Sequence, residues 1–540
     1  MSKMDLSVYR SLQLKRSSGI FSEVTRVDKN ARNMLEHFLI VGAPPVEKGT
    51  KVTDPKIITI FPASPLCMSP DDMSLLPFHC FPNGFSKLKE KEQKKKNPLL
   101  ELYTFRLGGQ SCTFYGCVAK FKVITSPIPW FASEVSVRYP FAFCIISSIP
   151  ILASHFQFLY FLVNAYHKPN EFKFNKTMLS HKPFHVTRGE TLPDLLRMNG
   201  CGVWAGITPK IYFLNQVNLY RSISIKRYNE QAFPVLSTLS VHVPAAASDI
   251  NLIAACCLDI LFSFLSIPDI VNLFTYALLG NYIMFFADDA RILSSSVLAL
   301  RAILSPFPFQ TPLIPYVIND DRFIGLLNSP VPYIAGVFKN TDLSEIEIGD
   351  QAVYVDLDKG KVKGPKVVRL PNRDGLIKRL KDIIREASET ITVPQKAIKK
   401  SFFSSPTWNQ NYYTFFKNLD KYTMPPAFMS NHYQKYIFDH ATVEKVMFAF
   451  TSHVAPEVAD LIKPCFVTDT TDIDRPCTVF NRTLFLDSIP KDSKAFYTLF
   501  SQTHAFAGFC DKKTDEVDLI KMSANTEDVS PLELDEEVDF

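Results

Sequence analysis

The chain has 540 residues, of which 46% are hydrophobic and 21% charged, and carries a formal net charge of +5. That balance excludes a disordered or collagen-like chain, and so small a charge on this length argues against a dedicated nucleic-acid binder. The length predicts two or more domains, each able to bury a core of its own.

Residues 1–30 are polar and unpatterned and read as a flexible lead-in. The apolar run Met34–Val41, closed by Gly42-Ala43-Pro44-Pro45, predicts a buried strand, and Lys56–Phe61, stopped by Pro62, predicts a second. Ser69 ahead of Pro70, Asp71 and Asp72 has the chemistry of a helix start: a side-chain cap, a first-turn proline, and carboxylates at the positive end of the dipole. Phe78–Gly84 ends in the turn Pro82-Asn83-Gly84. Lys87–Asn97 (KLKEKEQKKKN) is a charge run without an apolar face. It reads as a solvated hairpin loop, with peripheral contact to anionic lipid through Lys87–Lys96 as the sharper alternative. The alternating stretches around Gly108-Gly109 predict a hairpin. Residues 31–125 thus form a small sheet-rich α/β unit, followed by a proline-bearing linker at 126–138.

Phe141–Ser148 predicts a strand and Ile151–Tyr166 a helix. The run 141–163 is long enough to cross a bilayer, but Pro150, His155 and Gln157 interrupt it, and no transmembrane segment is expected. Lys168–Pro244 carries no readable pattern. From Ser266 to Val337 the local signals are strongest. Ser266 with Asp269 caps a helix whose apolar stripe runs through Ile270, Leu273, Phe274, Ala277 and Leu278 and stops at Gly280. Tyr282–Phe286 is too continuously apolar for a one-faced strand and should lie at the centre of a sheet. Asp288 and Asp289 stand where the next helix needs its cap, prolines from Pro306 to Pro332 forbid a long helix, and Val331–Val337 reads as another buried strand. Val353–Leu357 is a strand entering the turn Asp358-Lys359-Gly360. Arg373–Glu389 is amphipathic, further helices are expected at Thr442–Thr451 and Lys494–Phe509, and the acidic end 513–540 reads as a tail.

The 11 cysteines form no CxxC pair and no zinc-like pattern with histidine. With no apolar leader near Met1, they predict a reduced, cytoplasmic protein. There is no P-loop, no GxGxxG after a strand, no GxSxG elbow, no HExxH and no kinase signature. Asp288-Asp289 could serve as metal ligands or a base, but no third carboxylate stands at workable spacing, so capping is the stronger reading. Asp356 and Asp358 bracket a strand end, where solvent-facing turn residues are the ordinary interpretation. No enzyme active site, metal or cofactor is expected.

Several stretches, in order, resemble the DENN domain family, a module of upstream, central and downstream parts. The upstream part resembles MLEHFLIVGAPP (34–45), IITIFPASP followed by SPDDMSLLPFHCFPNG (57–84), and YTFRL with CTFYGCVAKF (103–121). The central part resembles YPFAFCIISSIPILASHFQFLYFLV (139–163), LFSFLSIPDIVNLFTYALL (261–279), ILSPFPFQTPLIPYV (303–317) and LLNSPVPYIAGV (326–337), with YVDLDKGKV (354–362) after it. AFYTLFSQTHAFAGFC (495–510) resembles the downstream part more loosely. The chain departs from the family at Asn281-Tyr282, at Asp288-Asp289 and at Phe309. The resemblance implies an α/β fold in two lobes, a longin-like N-terminal lobe (31–125) and a larger C-terminal α/β lobe built from a central region (139–345) and a helical downstream region (346–512). It further implies binding of a Rab-type small GTPase between the lobes and guanine-nucleotide exchange in membrane trafficking, with no nucleic-acid partner. Partner-binding candidates are Asn83, Asp288, Asp289, Asp356 and Asp358. The alternatives are a non-exchanging GTPase-binding scaffold, or an activating protein that uses an arginine, for which Arg138 and Arg291 are nearest the central motifs.

Overall fold

The computed structural model describes residues 31–63, 68–94, 100–108, 113–123, 129–167, 248–309, 311–347, 349, 351–390, 438–469 and 477–514, with parts of 214–243. The expected lead-in, the loop tip at Gly109, the unreadable stretch 168–213 and the tail from 515 lie outside the described residues. The protein is a mixed α/β structure with several sheets and helices.

Two five-stranded sheets organise it. The first contains β1 (His37–Gly42), β2 (Lys56–Phe61), β3 (Glu101–Gly108), β4 (Thr113–Phe121) and β5 (Phe141–Ser147), in the antiparallel order β2-β1-β5-β4-β3. Between β2 and β3 lies helix α1 (Pro70–His79), where Ser69 Oγ accepts the Asp72 N–H at 3.1 Å as the capping pattern predicts. Strand β5 is wholly buried. It pairs with β1 on one side and β4 on the other, at the middle of this sheet. The N-terminal sheet thus takes its central strand from beyond residues 126–138, from a stretch that local reading places at the start of the next region. Hydrophobic runs mark β5 as buried, but they cannot say in which sheet.

After β5 come α2 (Leu152–His167), α3 (Asp249–Phe264) and α4 (Ile267–Leu278), the last capped by Ser266 and ended by Gly280 at φ +72. Among the described residues no single helix is long and apolar enough to cross a membrane. The pair α3–α4 passes on length and composition only, with a 120° bend between them, and most of both helices is buried.

The second sheet contains β6 (Tyr282–Ala287), β7 (Leu313–Ile314), β8 (Ile334–Phe338), β9 (Ala352–Asp356) and β10 (Lys361–Lys363), in the order β7-β8-β6-β9-β10. The first four are parallel and β10 antiparallel. Its centre is β6, where the unbroken apolar run predicts it. A Cβ on Gly336 of β8 would lie 2.4 Å from the Pro315 carbonyl oxygen, so only glycine permits that backbone approach.

Helix α5 (Ala290–Ile303) packs against β3 of the first sheet, β8 of the second and α3, and every one of its residues except Arg301 is buried. The Thr104 N–H of β3 meets Ser294 Oγ at 3.4 Å. The two sheets therefore share one continuous core, with a smaller cluster around Met284, Tyr333 and Val337 on the far face of the second sheet.

The downstream part is helical, with a small hairpin. Helix α6 (Arg373–Thr390) packs by its apolar stripe on α4 and α7 (His440–Ile462). Helix α7 runs well past the predicted Thr442–Thr451 and through Pro456, because buried Val454, Val458 and Ile462 continue its packing face. Strands β11 (Phe466–Asp469) and β12 (Cys477–Phe480), which no periodicity flags, precede α8 (Arg482–Ser488). The single helix expected at Lys494–Phe509 is two: α9 (Lys494–Phe500) and a helix over 504–514, broken at Ser501–Thr503. Thr503 Oγ1 accepts the Phe506 N–H at 3.3 Å, starting the second helix where the pattern reads continuity.

Candidate functional site

The second sheet ends in a rim that faces the first. From β6 the chain passes through α5 to β8 on one side and returns with β9 on the other. The crevice beyond the C-terminal end of β6 therefore lies where the connections diverge, the usual ligand position in an open parallel sheet. Ala287 pairs with Phe338 and Phe286 with Asp356, so Asp288, Lys339 and Leu357 leave the sheet side by side. The Leu357 N–H donates to the Phe286 carbonyl at 3.0 Å, extending the ladder into the turn.

Lys339 bridges two of the predicted carboxylates. Its Nζ lies 2.9 Å from Asp356 Oδ1 and 2.7 Å from Asp358 Oδ2. The Lys359 backbone N–H donates to Asp356 Oδ1 at 3.2 Å, and Lys359 Nζ is 3.4 Å from Asp356 Oδ2. The hydrogen bond to Asp358, with that to Asp356, raises the Lys339 ammonium above its ordinary value against a smaller effect of burial. For Asp356, partial burial works against ionisation, but the hydrogen bonds from Lys339 and Lys359 outweigh it and hold the carboxyl low. The turn is thereby stiffened into a half-exposed set of fixed charges, with Gly360 at φ +61 closing it.

Asn83 reaches the same rim from the first sheet's turn. Its Oδ1 accepts from Asn340 Nδ2 at 2.9 Å and from Asn319 Nδ2 at 3.3 Å, while the Asn319 N–H donates to the Pro82 carbonyl at 2.7 Å. Gly84, at φ +90, lets the backbone turn away behind it. Tyr316 donates its hydroxyl to the His79 carbonyl at 2.8 Å and Tyr103 donates to the Cys80 carbonyl at 2.6 Å, so the end of α1 is held by both sheets. The Arg322 guanidinium lies over the Phe78 ring at 4.4 Å, with Asp320 Oδ2 2.7 Å from Arg322 Nη2.

The structure gathers Asn83, Asp288, Asp356 and Asp358 around this rim. Asp288 is exposed. Asp289 turns the other way: its Oδ1 accepts the N–H groups of Arg291 at 2.8 Å and Ile292 at 3.4 Å, capping α5. Among the described residues no group of three or more His, Cys, Asp and Glu is placed to hold a metal. Lys339, Asn340 and Asn319 belong to the rim and were missed by sequence reasoning. The available signal was a lysine directly after a buried strand, in IAGVFKN. Of the two arginines singled out, Arg291 is buried in the first turn of α5 at 5% exposure, in the field of Asp259 and Asp289, and burial lowers its pKa. It cannot reach a partner's nucleotide. Arg138 is exposed on the turn before β5.

Residues 220–360, about a quarter of the chain, match the DENN (AEX-3) domain model. The chain carries a DENN domain there, and the family resemblance read from the sequence holds. The matched span contains Asp288, Asp289, Lys339, Asp356 and Asp358, but not Asn83. The chain is also similar to proteins named Elicitor of plant defense protein 1. With that of Gibberella zeae it is 36% identical over 114 residues, 21% of this chain and 10% of the relative. With that of Fusarium odoratissimum it is 34% identical over 114 residues, 21% of this chain and 12% of the relative. The chain thus spans about a tenth of the length of these curated relatives.

Proposed function

We propose that the protein is a guanine-nucleotide exchange factor for a Rab-type small GTPase, acting in membrane traffic from the cytoplasmic side. The observation that carries this reading is the rim, where turns of both sheets converge inside and beside a DENN domain. In this reading the first sheet is the longin-like lobe, and the GTPase's switch regions lie across the Asn83, Asp288 and Asp356–Asp358 turns. The fixed carboxylates meet basic and backbone N–H groups of the switches. Exchange needs no acid, base or metal from this chain, and the protein is not itself an enzyme. The rim binds the nucleotide-free GTPase more tightly than the loaded one, and by reciprocity a bound rim lowers nucleotide affinity by the same factor. The buried position of Arg291 removes one of the two arginines of the activating alternative, which needs an arginine delivered to the phosphates, and leaves exposed Arg138 as its candidate.

The test is release of fluorescent GDP from a panel of Rab GTPases. Acceleration of at least one member supports exchange. Tight binding to loaded GTPases with no effect on release would instead support a scaffold, and stimulated GTP hydrolysis an activator.

A further inference from the structure

The charge run Lys87–Lys94 is a basic stretch among the described residues that the rim does not use. It begins four positions after Asn83 and is not the loose loop its composition suggests. Residues Glu90–Gln93 form one helical turn, with the Glu92 carboxylate accepting the Lys89 N–H at 3.0 Å. The Leu88 N–H donates to the Arg138 carbonyl at 2.9 Å. Beneath the turn lies Lys122 at 1% exposure, whose ammonium donates to the carbonyls of Glu92 and, at 3.3 Å, Gln93. Burying an ammonium carries a large desolvation cost, and a merely solvated loop has no use for one. Here it satisfies the carbonyls at the end of the turn and fixes Lys87, Lys89, Lys91 and Lys94 outward, all exposed, with exposed Arg138 alongside. Glu90 neutralises little of this: it meets Lys94 at 4.0 Å, and the two side chains are 90% and 81% exposed.

We propose that this strap is a docking surface for an anionic lipid bilayer, with Lys122 as its positioning residue. The chemistry favours lipid over nucleic acid. The strap's own charges are ammonium point charges, with Arg138 a single guanidinium beside them, which suits a diffuse negative surface potential. Its neighbouring ring, Phe85, is already stacked on Tyr139 at 5.4 Å and edge-on to Phe81 at 4.8 Å, so among the described residues of the strap no free ring is offered to bases. Each lysine beside an anionic leaflet is worth about fivefold in partitioning, so Lys87, Lys89, Lys91 and Lys94 with Arg138, offset by Glu90 and Glu92, still leave a net positive anchor. The inference is independent of nucleotide exchange.

Flotation of the full chain with phosphatidylcholine vesicles, with and without phosphatidylserine, tests it. Binding is expected only to the phosphatidylserine vesicles, and should fall steeply as salt rises from about 0.1 M to about 0.5 M. Replacing Lys87, Lys89, Lys91 and Lys94 together by Gln should cut partitioning at least about tenfold with an unchanged thermal melt. Lys122→Met keeps every exposed lysine, so a partial, several-fold loss with the far-ultraviolet dichroism intact identifies positioning rather than bulk charge. Equal binding to both vesicle types, or full binding by the quadruple variant, overturns the proposal. So does tighter binding to an RNA duplex than to phosphatidylserine vesicles.

Discussion

Helix α5 and the strand-end rim meet at Asp288-Asp289, yet they handle charge in opposite ways. In α5, Arg291 is buried close to Asp259 and Asp289, and its Nη1 finds no hydrogen-bond partner among the described residues. At the rim, Lys339, Asp356 and Asp358 hold one another with side chains still 26–29% exposed. A buried charge is costly to disturb and cannot be offered to a partner. A half-exposed one contributes little to stability and remains available. Stability should therefore be concentrated in α5 and the core around it, and binding in the rim.

The sharpest separation comes from Phe285→Ala in β6, beneath α5. Phe285 is fully buried, and its loss should cost about 3–5 kcal/mol in chemical denaturation. A cost under about 1 kcal/mol would mean that the shared core is not where stability lies. Next, Asp259→Ala and Arg291→Met each leave the other buried charge without its opposite and should each destabilise by about 3 kcal/mol. A loss under about 1 kcal/mol from either would mean that the two charges do not depend on each other.

Acid provides a third comparison. Burial lowers His79 and His155 from 6.5 to about 4. His79 is stacked on Phe105 at 4.8 Å, and His155 is held between the Tyr220 hydroxyl at 2.9 Å and the Ile149 carbonyl at 3.2 Å. Between these pH limits the unfolded chain binds protons that the folded chain refuses. Stability should thus rise as pH climbs from about 4 to 6.5, by up to about 3 kcal/mol for each histidine. His155→Gln should flatten that slope in a pH series of thermal melts. Asp356 acts in the same direction in a lower window: with its pKa lowered, its contribution is present above 3.8 and is lost as pH falls further.

The rim variants should affect stability least. Asn83→Ala removes the acceptor shared by Asn319 and Asn340 and should cost about 1–2 kcal/mol, while slowing exchange if the two sheets must be held in register. Charge reversal at Asp356 and Asp358 should cost about 1 kcal/mol and slow GDP release by about tenfold or more, a transition-state loss of about 1.4 kcal/mol. Unchanged release rates in the reversed variants would remove these turns from the proposed interface.

Much of the fold was legible locally because capping and strand burial are written in neighbouring residues. Ser69, Ser266 and Asp289 each cap the helix that follows them, and the apolar run at Tyr282–Phe286 lies at the centre of its sheet. Of the rim, the strand-end carboxylates were visible as turn residues, but Lys339 was not, since a lysine after a strand is ordinarily a solvated charge. The hairpin Phe466–Phe480 and the break at Ser501–Thr503 escaped because short strands and one-residue hydrogen-bond choices carry no periodicity.

By itself, then, the sequence determined the caps, the buried strands and the lack of a recognisable catalytic motif, because each of these is a property of residues within a turn or two. Only the tertiary structure decided that β5 completes the first sheet, that one core joins the two sheets, and that Asn83 meets Asn340 across 257 positions. Those outcomes depend on which buried surfaces find each other. A hydrophobic pattern specifies that a face must be covered, and not by what.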